Sequence, residues 1–124
     1  MEYLLNEKWF DKWAERTKKR IPNFSLCKLK IVWVSPEQAL KFFDHRFEDG
    51  VPVKNEGIRD ASVKDITEGL EQGVKLPPLL HFTVPGGYFT LKGKHYLTVN
   101  EGRNRAFVSW HMGIEKIPVV VDME

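Results

Sequence analysis

The sequence predicts an α/β domain of the α+β kind: a small mixed sheet with helices packed on it, plus an N-terminal helix. Three observations carry this. Leu29–Val34 (LKIVWV) and Ile117–Val121 (IPVVV) are short runs rich in β-branched residues, which suit strands. Between them lie segments with apolar residues three and four apart, each opened by a helix start signal and closed by a stop. Tyr88–Leu91 and His95–Val99 are spaced as a hairpin about Lys92-Gly93. A chain of 124 residues is the size of one domain, here 1–124, with a helical extension over 1–22 and a core over 28–121. That length buries enough surface to fold without a metal or disulfide staple.

In order along the chain, Asn6 can cap a helix that runs to Lys19 or Arg20, where Ile21-Pro22 stops it. Leu5, Trp9, Phe10, Trp13 and Thr17 fall on one side of it, to be buried as core or used for self-association, so a homodimer is among the expected partners. After the LKIVWV strand, Ser35-Pro36-Glu37-Gln38 supplies an N-cap serine, a first-turn proline and a capping-box glutamine. The helix they open buries Ala39, Leu40 and Phe43. Asp44 to Asp60 loses all periodicity and is expected to be a long loop, a length that in a compact domain marks function or mobility. Ser62 is the expected cap of the next helix, with Val63, Ile66 and Leu70 inward and Gly73 at its end. Pro77-Pro78 leads into a strand over Leu79–Val84, and Pro85-Gly86-Gly87 is expected to turn the chain before the hairpin. A helix from Gly102 to Met112 stops at Gly113-Ile114, and the IPVVV strand closes the domain.

Composition excludes several classes. The apolar share is 42% and the charged share 29%, so the chain is not compositionally disordered. A net charge of +2 is too balanced for a surface given over wholly to nucleic acid. Cys27 is the sole cysteine, which rules out an internal disulfide and fits a reducing compartment. The opening MEYLLNEKWFDKW has acids where a signal peptide needs bases, and no stretch is as long and apolar as a membrane span. A cytoplasmic protein with no membrane partner is expected.

Chemistry concentrates in Tyr96–Trp110 (YLTVNEGRNRAFVSW), where a strand runs through Asn100-Glu101-Gly102 straight into a helix. The first N–H groups of a helix lack intrahelical partners and carry the positive end of its dipole. Gly102 lets a ligand approach that backbone with no Cβ in the way. Arg103 and Arg105 bring guanidinium forks suited to phosphate oxygens, and Asn104 adds an amide donor. Phosphate binding is the sharp reading. Against it stands the plain one, a glycine kept for packing, a solvated helix start, and Glu101 paired with Arg105 one turn on.

Asn100-Glu-Gly-Arg-Asn-Arg-Ala-Phe-Val108, followed by Gly113-Ile-Glu-Lys-Ile-Pro-Val-Val-Val121, resembles the signature of the ParB/sulfiredoxin superfamily. There an acidic residue, glycine, two variable positions and arginine precede a short helix ending at glycine and an Ile-Pro-Val strand. Asp65–Leu80 resembles the helix, glycine stop and proline-led strand that come before it. The resemblance spans Ile58 to Val121 and leaves the N-terminal helix outside. It implies the fold of that superfamily and a glycine–arginine motif that binds nucleotide phosphates or positions the reactive group, with Gly102 and Arg105 at the pattern positions and Glu101 at the usual acid. Arg59 lies where partition relatives often contact phosphate with an arginine. Arg103 stands where sulfiredoxins carry their catalytic cysteine, so thiol repair is not implied. Asn104 takes one place of the doubled arginine of the partition branch.

Other candidates are weaker. His45, His81, His95 and His111 lack zinc-ligand spacing, and His81, in an apolar strand, is the one that could face Gly102. Glu37 and Glu56 are candidate catalytic carboxylates, as general base or Mg²⁺ ligand, with capping and solvation as their plain alternatives. Three functional readings follow. One is a nucleotide- or phosphate-binding domain, with Mg²⁺ and phosphotransfer or NTP hydrolysis as its extension. Another is a ParB-like nuclease or DNA-binding protein gripping a nucleic-acid backbone, which requires the Arg16–Arg20 cluster on the same face as Gly102. The last is a non-enzymatic interaction module.

Overall fold

The computed structural model describes residues 7–20, 28–54, 57–91 and 94–123, with side chains for all of these but 7–10 and 85–97. The elements run α1 (Glu7–Arg20), β1 (Leu29–Val34), α2 (Pro36–Phe42), β2 (Phe47–Glu48), β3 (Val51–Pro52), α3 (Asp60–Glu71), β4 (Leu79–Leu91), β5 (Lys94–Glu101), α4 (Arg103–His111) and β6 (Ile117–Asp122). Four strands form one mixed sheet in the order β1-β6-β4-β5. β1 and β5 run antiparallel to their neighbours, and β6 lies parallel to β4. An apolar run such as IPVVV suits an interior strand covered on both faces. Ile117, Val119 and Val120 are accordingly fully buried.

Strand alternation divides the core into two layers. On one face Val32 and Val34 of β1, Ile117 and Val119 of β6 and Leu79 of β4 meet Ala39 and Leu40 of α2 and Ala106 and Phe107 of α4. On the other, Leu29, Ile31, Val120, Leu80, Phe82, Val84 and Val99 meet Trp13 and Ala14 of α1. Trp13 and Thr17, four residues apart on α1, are both buried, so the helix packs on the sheet as core. Its capping residue Asn6, the Leu5 side chain and those of Trp9 and Phe10 lie outside the described set, as does Cys27. No helix among the described residues is long and apolar enough to cross a membrane.

Local signals produced the ends of two helices as expected. The Ser35 hydroxyl accepts from Gln38 N–H at 3.1 Å, capping α2 with Pro36 in its first turn. At the end of α4, Ile114 N–H bonds Ser109 O at 3.0 Å and Gly113 N–H bonds Trp110 O at 3.2 Å, the paired bonds of a Schellman stop, with Gly113 at φ 70°.

Three expectations are corrected. Residues 44–60 are not wholly a loop: Phe47 pairs with Pro52 and Glu48 with Val51 in a small hairpin. Its turn is Asp49-Gly50, both at positive φ, the aspartate–glycine pair that two-residue hairpins favour. Ser62 is not a cap, because α3 starts two residues earlier, at Asp60, with Arg59 in the capping position. Finally, Pro85-Gly86-Gly87 does not turn the chain. β4 continues through it to Leu91, and Pro85 and Phe89 both face Tyr96 across a bulge. A proline without an N–H and two glycines interrupt the ladder while the β5 partner holds the direction. The Lys92-Gly93 turn lies outside the described residues.

Candidate functional site

Leu80 pairs with Glu101 at the end of the β4–β5 ladder, and the chain leaves the sheet at Gly102 to begin α4. Gly102 has φ 115°, a conformation that side chains rarely adopt. A Cβ there would lie 2.6 Å from Leu79 Cγ and 2.9 Å from Arg105 Nη2. Glycine is therefore required twice over, by backbone and by space. No side chain caps α4, and no acid occupies its first turn. That end presents the positive pole of the helix, with no acid inside the first turn and exposed Glu101 one residue before the cap.

The three residues after Gly102 tie this helix start to segments remote in sequence. Arg103 Nη2 donates to Phe43 O at 2.5 Å, and its guanidinium lies 6.0 Å from the centre of the Phe43 ring. It also fills the space beside Gly57, where a Cβ would come within 2.8 Å of it. Asn104 Oδ1 accepts from Arg59 N–H at 2.9 Å while Asn104 Nδ2 donates to Gly57 O at 3.3 Å. Arg105 Nη2 donates to Pro78 O at 3.5 Å. All three residues are half-buried. Asn104 thus positions the 57–59 segment with both ends of its amide, and it brings Arg59, 45 residues away in sequence, to the first turn of α4.

His81 and Asn100 stand opposite each other one step up the ladder. His81 Nδ1 and Asn100 Oδ1 lie 2.6 Å apart in a hydrogen bond in which the amide oxygen is the acceptor. His81 stacks on Phe42 (5.1 Å between centres, 4° between planes) and meets Phe43 edge-on at 6.2 Å. The end of α2 therefore joins His81 to Arg103 through adjacent phenylalanines. Exposed Glu101 completes the approach to Gly102.

Glu37 does not join this group. It follows β1 at one edge of the sheet, whereas Gly102 follows β5 at the other, three strands along. Glu56 lies outside the described residues. Asp60 forms an ion pair with Lys54, both exposed. Among the described residues no group of three or more histidine, cysteine or acidic side chains could hold a metal ion. The basic end of α1, Lys18-Lys19-Arg20, belongs to the helix that covers the sheet face opposite α2 and α4.

Sequence reasoning missed His45. It is 5% exposed, donates from Nε2 to Val53 O at 2.6 Å, and lies against Phe47 and Phe107. Nδ1 is buried with no hydrogen-bond partner among the described residues. Burial lowers the pKa below the ordinary 6.5, and the nearby Arg103 charge lowers it further against the opposing pull of the Val53 carbonyl. His45 is a neutral strut between the β2–β3 hairpin and α4. Nothing in its spacing from the other histidines signals this.

Compared with protein families, with curated proteins and with solved structures, the chain matches none.

Proposed function

We propose that this chain is a ParB/sulfiredoxin-like domain that binds the phosphate group of a nucleotide, with Mg²⁺ as companion ion, at the start of α4. The observation that carries the reading is the pair of Asn104 bonds, which bring Arg59 against a helix start that has neither cap nor acid. Backbone N–H groups and the helix dipole attract an anion there. Arg59, anchored there by its backbone N–H and exposed, has a side chain long enough to meet the anion, and Arg103 and Arg105 add positive charge while bonded to Phe43 and Pro78. Asn104 positions rather than donates. The order α3, proline-led β4, Gly102, α4, Gly113, β6 follows the order of the resembling motifs.

Phosphotransfer needs a base or a metal carboxylate beside the phosphate. Glu37 is at the far sheet edge, so simple binding has the better support. Gripping a nucleic-acid backbone has less, because the basic end of α1 is on the helix across the sheet. The non-enzymatic reading has one observation in its favour: Arg103, Asn104 and Arg105 all bond to backbone carbonyls and could serve as a brace alone.

Thermal unfolding with ATP, ADP, CTP and GTP, with and without Mg²⁺, separates these. Under the proposal at least one nucleotide raises Tm in proportion to the logarithm of its excess over Kd, and Arg59→Ala removes the shift without lowering the unliganded Tm. No shift with any nucleotide leaves the bracing role standing.

A further inference from the structure

A cavity lies beside the C-terminal half of α4, away from its capless start. It has a volume of about 380 Å³ and runs between α3 and α4. α3 has an apolar face of Val63, Ile66 and Leu70, yet none of its residues is fully buried. The helix stands off from α4 and leaves a groove. Val63 forms one wall, and Phe107 and Met112 the other, with Met112 45% exposed. The volume falls within the range of small-molecule sites, and the balance is theirs too: mostly apolar walls with a few polar groups.

The ionisable groups that line it are basic residues. Among the described residues, Lys54 and His111 are the ionisable side chains lining the groove, and no carboxylate lines it. Thr67 also lines it, its hydroxyl proton taken up by Val63 O at 2.7 Å. His111 packs its ring against Phe107 at 4.5 Å, setting a ring N–H donor and an aromatic face side by side. Lys54 is 59% exposed and forms an ion pair with the still more exposed Asp60, so a ligand carboxylate would compete with a solvated partner for its ammonium. A flexible thioether at the mouth lets the wall adapt to the occupant.

We propose that this groove binds a small amphipathic carboxylate, with its hydrocarbon body between Val63, Phe107 and Met112 and its anion at Lys54 and His111. The chemistry fits both an aliphatic chain and an aromatic ring, and the test has an arm for each. Octanoate and 3-phenylpropionate are titrated into the full chain, each beside its uncharged amide, and backbone amide NMR shifts are followed.

The expected result is saturable shifts centred on residues 63, 67 and 107–112 for at least one acid. Its amide should bind about tenfold more weakly, the loss of one charge-assisted contact. The acid that binds identifies the occupant as chain or ring. Met112→Glu, at an exposed position, should abolish binding by adding negative charge at the mouth, and Thr67→Glu repeats the test if that variant misfolds. No shift with either acid, equal binding of acid and amide, or unchanged affinity in the folded glutamate variants would each overturn the proposal. So would a dimer that Met112→Glu disperses, since the groove would then be an interface between copies.

Discussion

Two helices start at the same end of this sheet and solve the problem of a helix start in opposite ways. α2 is closed locally: the Ser35 hydroxyl takes the Gln38 N–H, Pro36 has no N–H to satisfy, and Glu37 sets negative charge against the dipole. α4 has glycine at its cap, two arginines in its first turn and no acid there. Its stability as an element comes from bonds to Phe43, Gly57, Arg59 and Pro78, all far away in sequence. A helix start that closes itself has nothing left for a ligand. One held in place from outside keeps its positive pole open, at the cost of depending on three other segments.

The contrast breaks first at Gly102. Gly102→Val should destabilise the protein by about 3 kcal/mol, since it combines an unfavourable backbone with a clash against Leu79. Urea unfolding measures this, and a loss below about 1 kcal/mol would mean that the junction relaxes freely. Asn104→Ala should cost about 2 kcal/mol by leaving Arg59 N–H and Gly57 O without their side-chain partner. It should also weaken nucleotide binding about tenfold by releasing Arg59 from the site. Asn104→Asp sharpens the test, because it keeps the acceptor for Arg59 but adds a negative charge where the anion would sit.

Ser35→Ala should cost about 1 kcal/mol and leave anion binding unchanged, because its cap serves α2 alone. An effect of Ser35→Ala on binding would show that the two helix starts are coupled after all.

The smallest expected effect is a pH dependence at His45. Its folded-state pKa lies below 6.5, so the unfolded chain binds the proton more readily. This contribution to stability is whole above about pH 6.5 and is lost as pH falls toward the lowered value. Unfolding free energies measured from pH 7.5 to 5 should therefore fall more steeply for the wild type than for His45→Phe. A flat wild-type profile would show that the ring is not held neutral.

What was legible in the sequence was what is decided within four or five residues. The bounds of β1, the Ser35 cap and the Gly113 stop all depend on neighbours along the chain. Pro85-Gly86-Gly87 reads as a turn by itself, and only pairing with Tyr96 on β5 makes it a bulge. The Asp49-Gly50 hairpin had a readable signal, but strands of two residues leave no periodicity to detect. The same division runs through the candidate site. Gly102 and its basic followers were visible as a cluster. That Arg103 would reach a carbonyl 60 residues back, or that Asn104 would hold Arg59, is a property of the assembled tertiary structure.

The place of β6 has a consequence for how such a chain comes into being. The latest in sequence of the described strands is an interior one, wedged between β1 and β4. As the chain emerges from the ribosome, the β4–β5 hairpin can form early, but β1 has no partner until residues 117–122 are out. Through most of synthesis the apolar faces of β1 and β4 therefore stay open to other chains, and closure joins segments some ninety residues apart. Shortening the chain by one strand would remove the keystone and leave two sheet fragments with raw edges.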